Sequence, residues 1–196
     1  GQGVSLPVSV NLSTKLLHDL DLPGKVGELI EKWKIDPGTI TLEITESSMM
    51  VDPELAFRII SGLGRLGLKL SIDDFGTGYS SLALLKRLPG CELKIDKTFI
   101  LDMITDADDL NIVQTSINLA RNMELSVVAE GVETQETLDK LIEMGCEMAQ
   151  GFYLCKPLPP DKLLERIAAS PGYSEIRTEK REQDRQAVAS SAAEKS

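Results

Sequence analysis

Acidic residues that could hold metal ions recur where short apolar runs of this sequence end. They are Glu43, Asp73, Asp74, Glu130 and Glu133. Carboxylates gathered in one place repel one another unless they are protonated or bound to cations. A cluster of oxygen ligands without histidine or thiolate suits Mg²⁺ or Mn²⁺ rather than zinc or copper. These residues therefore predict a site for hard divalent cations.

The adjacent pair Asp73–Asp74 favours a particular chemistry. One carboxylate of such a pair can bridge two metal ions while the other binds only one. Two metals about 3.5–4 Å apart stabilise the attacking and leaving oxygens of an in-line displacement at phosphorus, which favours phosphodiester hydrolysis. Taken singly, the residues also have structural explanations. Glu43 fits an ordinary strand-end acid, the aspartate pair fits a capped turn, and Lys94 fits an exposed strand-end lysine.

Hydrophobic periodicity predicts the elements that must position these residues. Six apolar runs are expected to be buried strands, at residues 6–10, 40–44, 68–72, 93–95, 125–129 and 148–154. Helical patterns cover residues 53–66, 110–123, 134–144 and 160 to about 171. The sequence Asp52-Pro53 is a strong helix start, with an acidic cap followed by proline at the first helical position. Strands that alternate with helices predict a parallel α/β fold.

An open doubly wound sheet and a closed (β/α)₈ barrel both fit this alternation, and the positions of polar residues distinguish them. Each apolar run carries one at or beside its C-terminal end: Asn11, Glu43, Asp73, Lys94, Glu130 and Gln150. In a TIM-type barrel these strand ends converge on one mouth, where active sites lie. We therefore predict an α/β fold of the TIM-type (β/α)₈ class. Six units fill the structured residues, whereas a full barrel takes eight units and about 250 residues, so about two are expected upstream of Gly1.

Composition narrows the functional class. The net charge of −10 disfavours a large DNA- or RNA-binding face, because nucleic-acid backbones are themselves negative. No apolar run approaches the roughly 18 residues of a membrane span. The three cysteines lack metal-ligand spacing and are interpreted as reduced thiols of a cytoplasmic protein. We predict one structured domain over residues 1–173 and a polar tail, helical or disordered, over residues 174–196.

Two short motifs resemble other functional sites, but their context excludes those functions. Gly62–Gly67 matches G-x-G-x-x-G, yet a dinucleotide site needs this motif after a strand and at the start of a helix. Here the motif closes a predicted helix and precedes a strand. Asp74-Phe75-Gly76 resembles the kinase D-F-G, without the H-R-D motif or strand lysine that accompany it. The one histidine, His18, lies in a polar stretch and is interpreted as a surface residue.

Six motifs, in order, resemble those of the EAL family of cyclic-di-GMP phosphodiesterases. The sequence IDDFGTGYSSL, from Ile72 to Leu82, is nearly a signature of that family by itself. The other five are VSVNLS from Val8, LEITES from Leu42, LKIDKTFI from Leu93, VAEGVET from Val128 and AQGF from Ala149. The resemblance extends from about Val4 to Pro159, and the family's fold is a TIM-type barrel.

The resemblance implies roles for the residues at the predicted mouth. The expected ligands of two Mg²⁺ or Mn²⁺ ions are Asn11, Glu43, Asp73, Asp74 and Glu130. Lys94 is expected to orient the attacking water, and Glu130 to share the general-base role with the metals. Expected supporting residues are Glu46, which would anchor the loop after Asp74, together with Glu133 and Gln150. The loop itself is expected to move and includes Phe75, Gly76, Thr77 and Gly78.

The same resemblance implies a substrate and partners. The expected substrate is cyclic-di-GMP, and hydrolysis of one ester would give linear pGpG. A homodimer through the loop after Asp74 and the following helix is expected. Upstream, a sensory or diguanylate cyclase domain is a common neighbour in the family. The parent protein is compatible with a membrane anchor outside this chain.

One departure from the family concerns the Glu-Ala-Leu segment, which this chain does not contain. In the family that segment lies upstream of the asparagine strand, its glutamate binds metal, and a following arginine contacts a substrate phosphate. We therefore expect this chain alone to be inactive or weakly active. Two alternatives stay open: a non-catalytic cyclic-di-GMP receptor that signals through a partner, and an interaction scaffold that binds no nucleotide. The presence of the downstream ligands favours the enzyme.

Overall fold

Six strands form the framework of the protein. The computed structural model describes residues 6–77, 85–88 and 91–169. The strands are β1 (Val8–Asn11), β2 (Ile40–Thr45), β3 (Lys69–Phe75), β4 (Glu92–Ile95), β5 (Ser126–Glu130) and β6 (Met148–Gln150). Each apolar run predicted to be a strand is confirmed. β6 is shorter than predicted, because the chain turns at Gly151, whose carbonyl accepts hydrogen bonds from the N–H groups of Leu154 and Cys155.

The strand order decides between the two predicted architectures. Every neighbouring pair is parallel, and the spatial order is β1-β2-β3-β4-β5-β6, the order of the sequence. A doubly wound sheet reverses its strand order at a switch point, whereas a barrel adds each strand beside the previous one. The prediction of a TIM-type barrel is therefore confirmed. The six described strands form an open part of it, with β1 and β6 at the two edges.

Helices lie between most of the strands, and one follows β6. They are α1 (Leu22–Trp33), α2 (Glu46–Met50), α3 (Pro53–Arg65), α4 (Lys97–Asp102), α5 (Ala107–Asn122), α6 (Gln135–Met144) and α7 (Pro160–Ala169). Short 3₁₀ helices span Thr14–His18 and Pro37–Thr39. The structure confirms the helices predicted near residues 53–66, 110–123, 134–144 and 160–171. α5 begins earlier than predicted, because Asp106 accepts hydrogen bonds from the N–H groups of Asp108 and Asp109.

Local signals explain where these helices begin and end. The Asp52 side chain caps α3 by accepting a hydrogen bond from the N–H of Leu55, 3.1 Å away. α3 ends at Arg65, so the glycine-rich motif 62–67 closes a helix before β3, as predicted. α6 ends at Gly145, whose φ of 75° is the left-handed conformation that glycine adopts without strain. His18 is exposed, as predicted.

The core lies between the sheet and the helix layer. Leu93 and Ile95 of β4 are fully buried, and so are Ile60 and Leu63 of α3. The edge strand β1 differs, since all four of its residues are exposed. The sheet is therefore well packed at its centre and open at the β1 edge.

The chain divides into two compact units, residues 1–155 and 156–196. The first unit contains all six strands and helices α1 to α6. The second contains α7, and the predicted boundary at residue 173 lies outside the described residues, as does the predicted tail. Within the described ranges, no helix is both long enough and apolar enough to cross a membrane.

Candidate active site

Lys94 lies at the centre of a cluster of carboxylates near the C-terminal ends of the strands. Its side chain is buried, and its Nζ lies 2.7 Å from Glu130 Oε1, 3.0 Å from Glu43 Oε1 and 3.1 Å from Asp73 Oδ1. Glu43 belongs to β2, which is not a neighbour of β4 in the sheet. Its carboxylate reaches Lys94 because the sheet curls, as the strands of a barrel do. Four residues predicted from separate strand ends thus meet at one point.

The charges of this cluster influence one another strongly. Burial by itself would lower the pKa of Lys94, but its hydrogen bonds to Glu130 and Glu43 outweigh burial and raise that pKa well above its ordinary value. Burial raises the pKa of Glu130, and the nearby Lys94 only partly offsets this effect. Lys94 therefore stays an ammonium ion, whereas Glu130 holds a proton more readily than a carboxylate in water.

β3 is irregular where its two aspartates lie. The pairing with β4 shifts register between Ile72 and Phe75, and Asp74 has a φ of 56°. In a regular strand, successive side chains point to opposite faces, and a bulge breaks that alternation. The carboxyl groups of Asp73 and Asp74 are consequently close enough to interact. Burial, the charge of Asp73 and a hydrogen bond with Asp96 raise the pKa of Asp74.

One oxygen of Asp73 is buried without a hydrogen bond. Its Oδ1 lies 3.1 Å from Lys94 Nζ, which is an ion-pair distance, but the contact lacks the direction of a hydrogen bond. A buried carboxylate oxygen normally finds a full partner, because leaving it unpaired is costly. An oxygen of this kind is suited to binding a cation.

Asp96 is a residue of this cluster to which sequence reasoning assigned no role. It caps α4 by accepting a hydrogen bond from the N–H of Thr98, 2.8 Å away, and also bonds the Thr98 hydroxyl. Burial would raise the pKa of Asp96, but the bonds from Thr98 outweigh it and lower that pKa. The signal that could have revealed it is an aspartate two residues before a threonine at a strand–helix junction.

A hydrogen bond connects the loop after Asp74 to α2. The N–H of Gly76 donates to Glu46 Oε2 at 3.3 Å, and Glu46 is itself buried. The Thr77 hydroxyl donates to the carbonyl of Asp74 at 2.8 Å. Phe75, the last residue of β3, is buried where β3 pairs with β4. The geometry places Glu46 where an anchor of this loop would lie, while Gly78 is outside the described residues.

The remaining predicted residues lie towards the edges of the site. Asn11 pairs with Glu43 in the register of β1 and β2, and Gln150 pairs with Glu130 in the register of β5 and β6. The structure places Asn11, Gln150 and Glu133 in exposed positions. They therefore stand next to the cluster without being enclosed by it.

Gly151 is a second position to which sequence reasoning assigned no role. A Cβ at this residue would lie 2.1 Å from the carbonyl oxygen of Val132 and 2.3 Å from its nitrogen. The N–H of Val132 donates to the carbonyl of Gln150, and the N–H of Tyr153 donates to the carbonyl of Val132, both at 3.0 Å. These bonds join the segments after β5 and β6, and they require a residue without a side chain at position 151.

The arrangement as it stands is centred on the ammonium of Lys94. Among the described residues, no group of three acidic, histidine or cysteine side chains is arranged to hold a metal ion. The site nevertheless gathers three carboxylates, those of Glu43, Asp73 and Glu130, around one lysine, and two further aspartates, Asp74 and Asp96, interact beside them. An excess of partly buried negative charge of this kind attracts cations or protons.

The chain was also compared with models of known protein families. The model of the EAL domain matches residues 1–157, which is most of the chain. The chain belongs to the EAL domain family. The resemblance inferred from the six motifs is confirmed.

Two curated relatives from Pseudomonas aeruginosa are similar to this EAL domain. The first, the bifunctional diguanylate cyclase/cyclic di-GMP phosphodiesterase MucR, is 42% identical over 161 residues, which are 82% of the chain and 24% of MucR. The second, the cyclic di-GMP phosphodiesterase NbdA, is 41% identical over 164 residues, which are 84% of the chain and 21% of NbdA. The chain therefore spans less than a quarter of the length of each of these two proteins.

Solved structures of EAL domains share the fold. A MucR phosphodiesterase in complex with c-di-GMP superposes with a TM-score of 0.76 at 42% identity, covering 80% of this chain and 64% of that one. The EAL domain of Mycobacterium smegmatis DcpA gives a TM-score of 0.77 at 38% identity, covering 83% of this chain and 72% of that one. These likenesses support the partial-barrel architecture.

Proposed function

We propose that this EAL domain takes part in the hydrolysis of cyclic-di-GMP to linear pGpG with the help of Mg²⁺ or Mn²⁺. The observation that carries the proposal is the meeting of Glu43, Asp73 and Glu130 around buried Lys94 at the C-terminal ends of barrel strands. Barrel active sites lie at these ends. Relatives at 41–42% identity are named cyclic di-GMP phosphodiesterases, and one solved relative is a complex with c-di-GMP.

The donor atoms suit hard divalent cations. They are carboxylate and amide oxygens, and Asp73 Oδ1 is buried without a hydrogen bond. The residues that would hold two ions are Asn11, Glu43, Asp73, Asp74 and Glu130. When bound, such ions lower the pKa of water and neutralise charge that develops on phosphate oxygens.

The residues of the chain supply the remaining functions. Lys94 is positively charged and buried, so it would attract a substrate phosphate and orient water beside it. Glu130 bonds Lys94 through one carboxylate oxygen, and its other oxygen would accept a proton from the attacking water. Burial raises the pKa of Glu130, which brings it closer to the range useful for proton transfer at neutral pH. Attack by water would break one phosphorus–oxygen ester bond and open the cyclic dinucleotide.

The loop after Asp74 would couple substrate binding to the metal ligands. It begins directly after Asp74, and its Gly76 N–H donates to Glu46. A shift of this loop would therefore move a ligand as well as residues near the substrate. We also propose a homodimer formed through this loop and the following helix, and an upstream sensory or diguanylate cyclase domain. The free thiols of Cys91 and Cys146 suit a reducing compartment such as the cytoplasm.

The proposal is tested by incubating the chain, and the same chain extended upstream through the Glu-Ala-Leu segment, with cyclic-di-GMP and Mn²⁺. Nucleotides are then separated by chromatography. We expect the extended chain to form pGpG in a metal-dependent reaction that Asp73→Asn abolishes, and the chain alone to form little or none. Asp21→Asn, at an exposed position outside the site, serves as the matched control and is expected to keep full activity.

Two results would count against the enzyme. If the extended chain binds cyclic-di-GMP in calorimetry but leaves it intact at every Mn²⁺ concentration, the domain is a receptor. If it neither binds nor hydrolyses the nucleotide, the interaction scaffold is the better explanation. Hydrolysis that persists unchanged in Asp73→Asn would place the chemistry at different residues.

A further inference from the structure

The outer face of α3 carries two arginines that have no acidic partner among the described residues. Arg58 and Arg65 are both exposed, and no described carboxylate lies within ion-pair distance of either. Arg87, close to the same helix, behaves differently. Its guanidinium pairs with Glu54 at 2.7 Å and stacks on the ring of Phe57, 3.8 Å from the centroid. The two unpaired arginines are notable because the chain has a net charge of −10.

A groove runs beside these arginines. It has a volume of about 470 Å³, and its apolar walls include Leu20, Pro23 and Phe57. Leu20 is 54% exposed, although it is a large aliphatic residue. The floor is closed where α1 and α3 touch, because a Cβ at Gly62 would lie only 2.8 Å from Pro23 Cγ.

A second cleft lies beside the first. It has a volume of about 390 Å³ and shares Ser61 and Arg65 with the groove. Arg65 therefore borders both depressions, and its guanidinium lies near Gly62. The paired Arg87 also lines the second cleft. We call the surface formed by the groove and the cleft together the α3 groove. It combines exposed apolar area with positive charge.

The spacing of the charges indicates the kind of ligand that fits. Arg58 and Arg65 are seven residues apart, so they lie on one face of α3 about 10.5 Å apart along its axis. Small-molecule sites usually have a few convergent polar groups in an enclosed pocket. The α3 groove has charges two helical turns apart and walls that include Leu20 and Pro23. It matches an extended or helical segment better than a compact anion.

We propose that the α3 groove docks an acidic amphipathic segment of a partner protein. Two carboxylates of that segment, two helical turns apart, would pair with Arg58 and Arg65. An apolar side chain of the segment would cover Leu20, which is exposed in the groove. Such a segment supplies carboxylates for the two arginines, and recognition of an amphipathic helix in an apolar groove is a common mode. The surface belongs to the helix layer, whereas the candidate active site lies at the strand ends.

The test uses the full chain and a fluorescein-labelled helical peptide with glutamates at positions i and i+7 and leucines at i+3 and i+4. Binding is measured by fluorescence anisotropy, with circular dichroism to verify folding. We expect Arg58→Glu with Arg65→Glu to weaken binding by at least about tenfold, since charge-assisted pairs are lost and repulsion appears. The matched control, Lys32→Glu with Lys69→Glu, changes the net charge equally and is expected to weaken binding less than about twofold.

Several outcomes would overturn the proposal. An equal loss of peptide binding in both double variants would show that the effect depends only on net charge. Competition by millimolar inorganic pyrophosphate, with the same potency as unlabelled peptide, would assign the arginines to a small anion. Concentration-dependent self-association that disappears in the arginine variant, seen by sedimentation, would assign the groove to a second copy of the chain.

Discussion

The centre and the edges of the sheet position their polar residues in different ways. Lys94, on β4, has a paired strand on each side and is buried, and its carboxylate partners are partly buried. Asn11, on β1, has a paired strand on one side only and is exposed, and Gln150 on β6 is exposed as well. All of them were predicted from the sequence to belong to one site. Their geometry, however, is fixed to very different degrees.

This difference shows what the rest of a barrel contributes to a site at its mouth. At the centre, neighbouring strands and the buried ion pairs hold the side chains in place, so the cluster forms within the described residues. At the edges, the backbone register brings Asn11 beside Glu43 and Gln150 beside Glu130. Register alone leaves those side chains exposed. A ligand or a further strand would be needed to enclose them.

The largest expected effect comes from removing the central cation. Lys94→Met leaves the carboxylates of Glu43, Asp73 and Glu130 close together without their ammonium. Breaking a buried ion pair by deleting one partner costs about 3–5 kcal/mol, so we expect a loss of that size in the free energy of unfolding at pH 7. Urea titration followed by circular dichroism measures it.

The edge supplies the matched variant for this experiment. Asn11→Ala removes an exposed side chain from β1, and we expect the free energy of unfolding to change by less than about 0.5 kcal/mol. If both variants lose similar stability, side chains at the centre and at the edge of the sheet are fixed to the same degree.

Gly151→Ala examines how the β6 edge is held. The new Cβ would overlap the backbone of Val132, which cannot move without stretching its hydrogen bonds to Gln150 and Tyr153. We expect thermal or urea unfolding to show a loss of about 1–3 kcal/mol, as for other overpacked sites. In Gly24→Ala, the added methyl group would have nothing within 4 Å. Because alanine is more stable than glycine within a helix, this variant should gain up to about 1 kcal/mol in the free energy of unfolding. If Gly151→Ala leaves the free energy of unfolding unchanged, the backbone at the β6 edge can rearrange to accept a side chain.

Sequence patterns predicted the fold more completely than the site. Each strand contains a short, mainly apolar run with a polar residue at or near its C-terminal end, and this pattern was enough to predict the barrel. The bulge at Asp73–Asp74 was not predictable, because alternation in a regular strand would have separated the two side chains. Asp96 and Gly151 were missed for a similar reason. Their importance depends on contacts across the fold, with Asp74 in one case and with Val132 in the other.

A smaller, pH-dependent effect is expected at the bulge beside Lys94. Burial and the charge of Asp73 raise the pKa of Asp74. A carboxyl group with a raised pKa binds its proton more tightly in the folded state, so its ionisation opposes folding as the pH rises. Asp74→Asn removes that charge, and asparagine tolerates the φ of 56°. The variant is therefore expected to be more stable than the parent at pH 7.

The advantage of Asp74→Asn should disappear as the pH falls below the ordinary aspartate pKa of about 3.9, where Asp74 is protonated in both folded and unfolded chains. Urea titrations at pH 7 and pH 3 measure this difference. Asp21→Asn, at an exposed position, should stay within about 0.5 kcal/mol of the parent at both values. If Asp74→Asn and the parent differ in stability by the same amount at both pH values, ionisation of Asp74 does not oppose folding.

The least disruptive comparison uses two thiols that precede a central strand and an edge strand. Cys91, before β4, is 2% exposed, and burial raises its pKa to about 12. Cys146, before β6, is half-buried, and burial raises its pKa as well. Thiolates are the reactive form, so iodoacetamide at pH 8 should modify Cys146 well before Cys91, with peptide mass spectrometry assigning the sites. Equal modification rates for the two cysteines would mean that local unfolding exposes the start of β4 as easily as the edge strand. In that case, a rigid central strand could not explain the geometry of the Lys94 cluster.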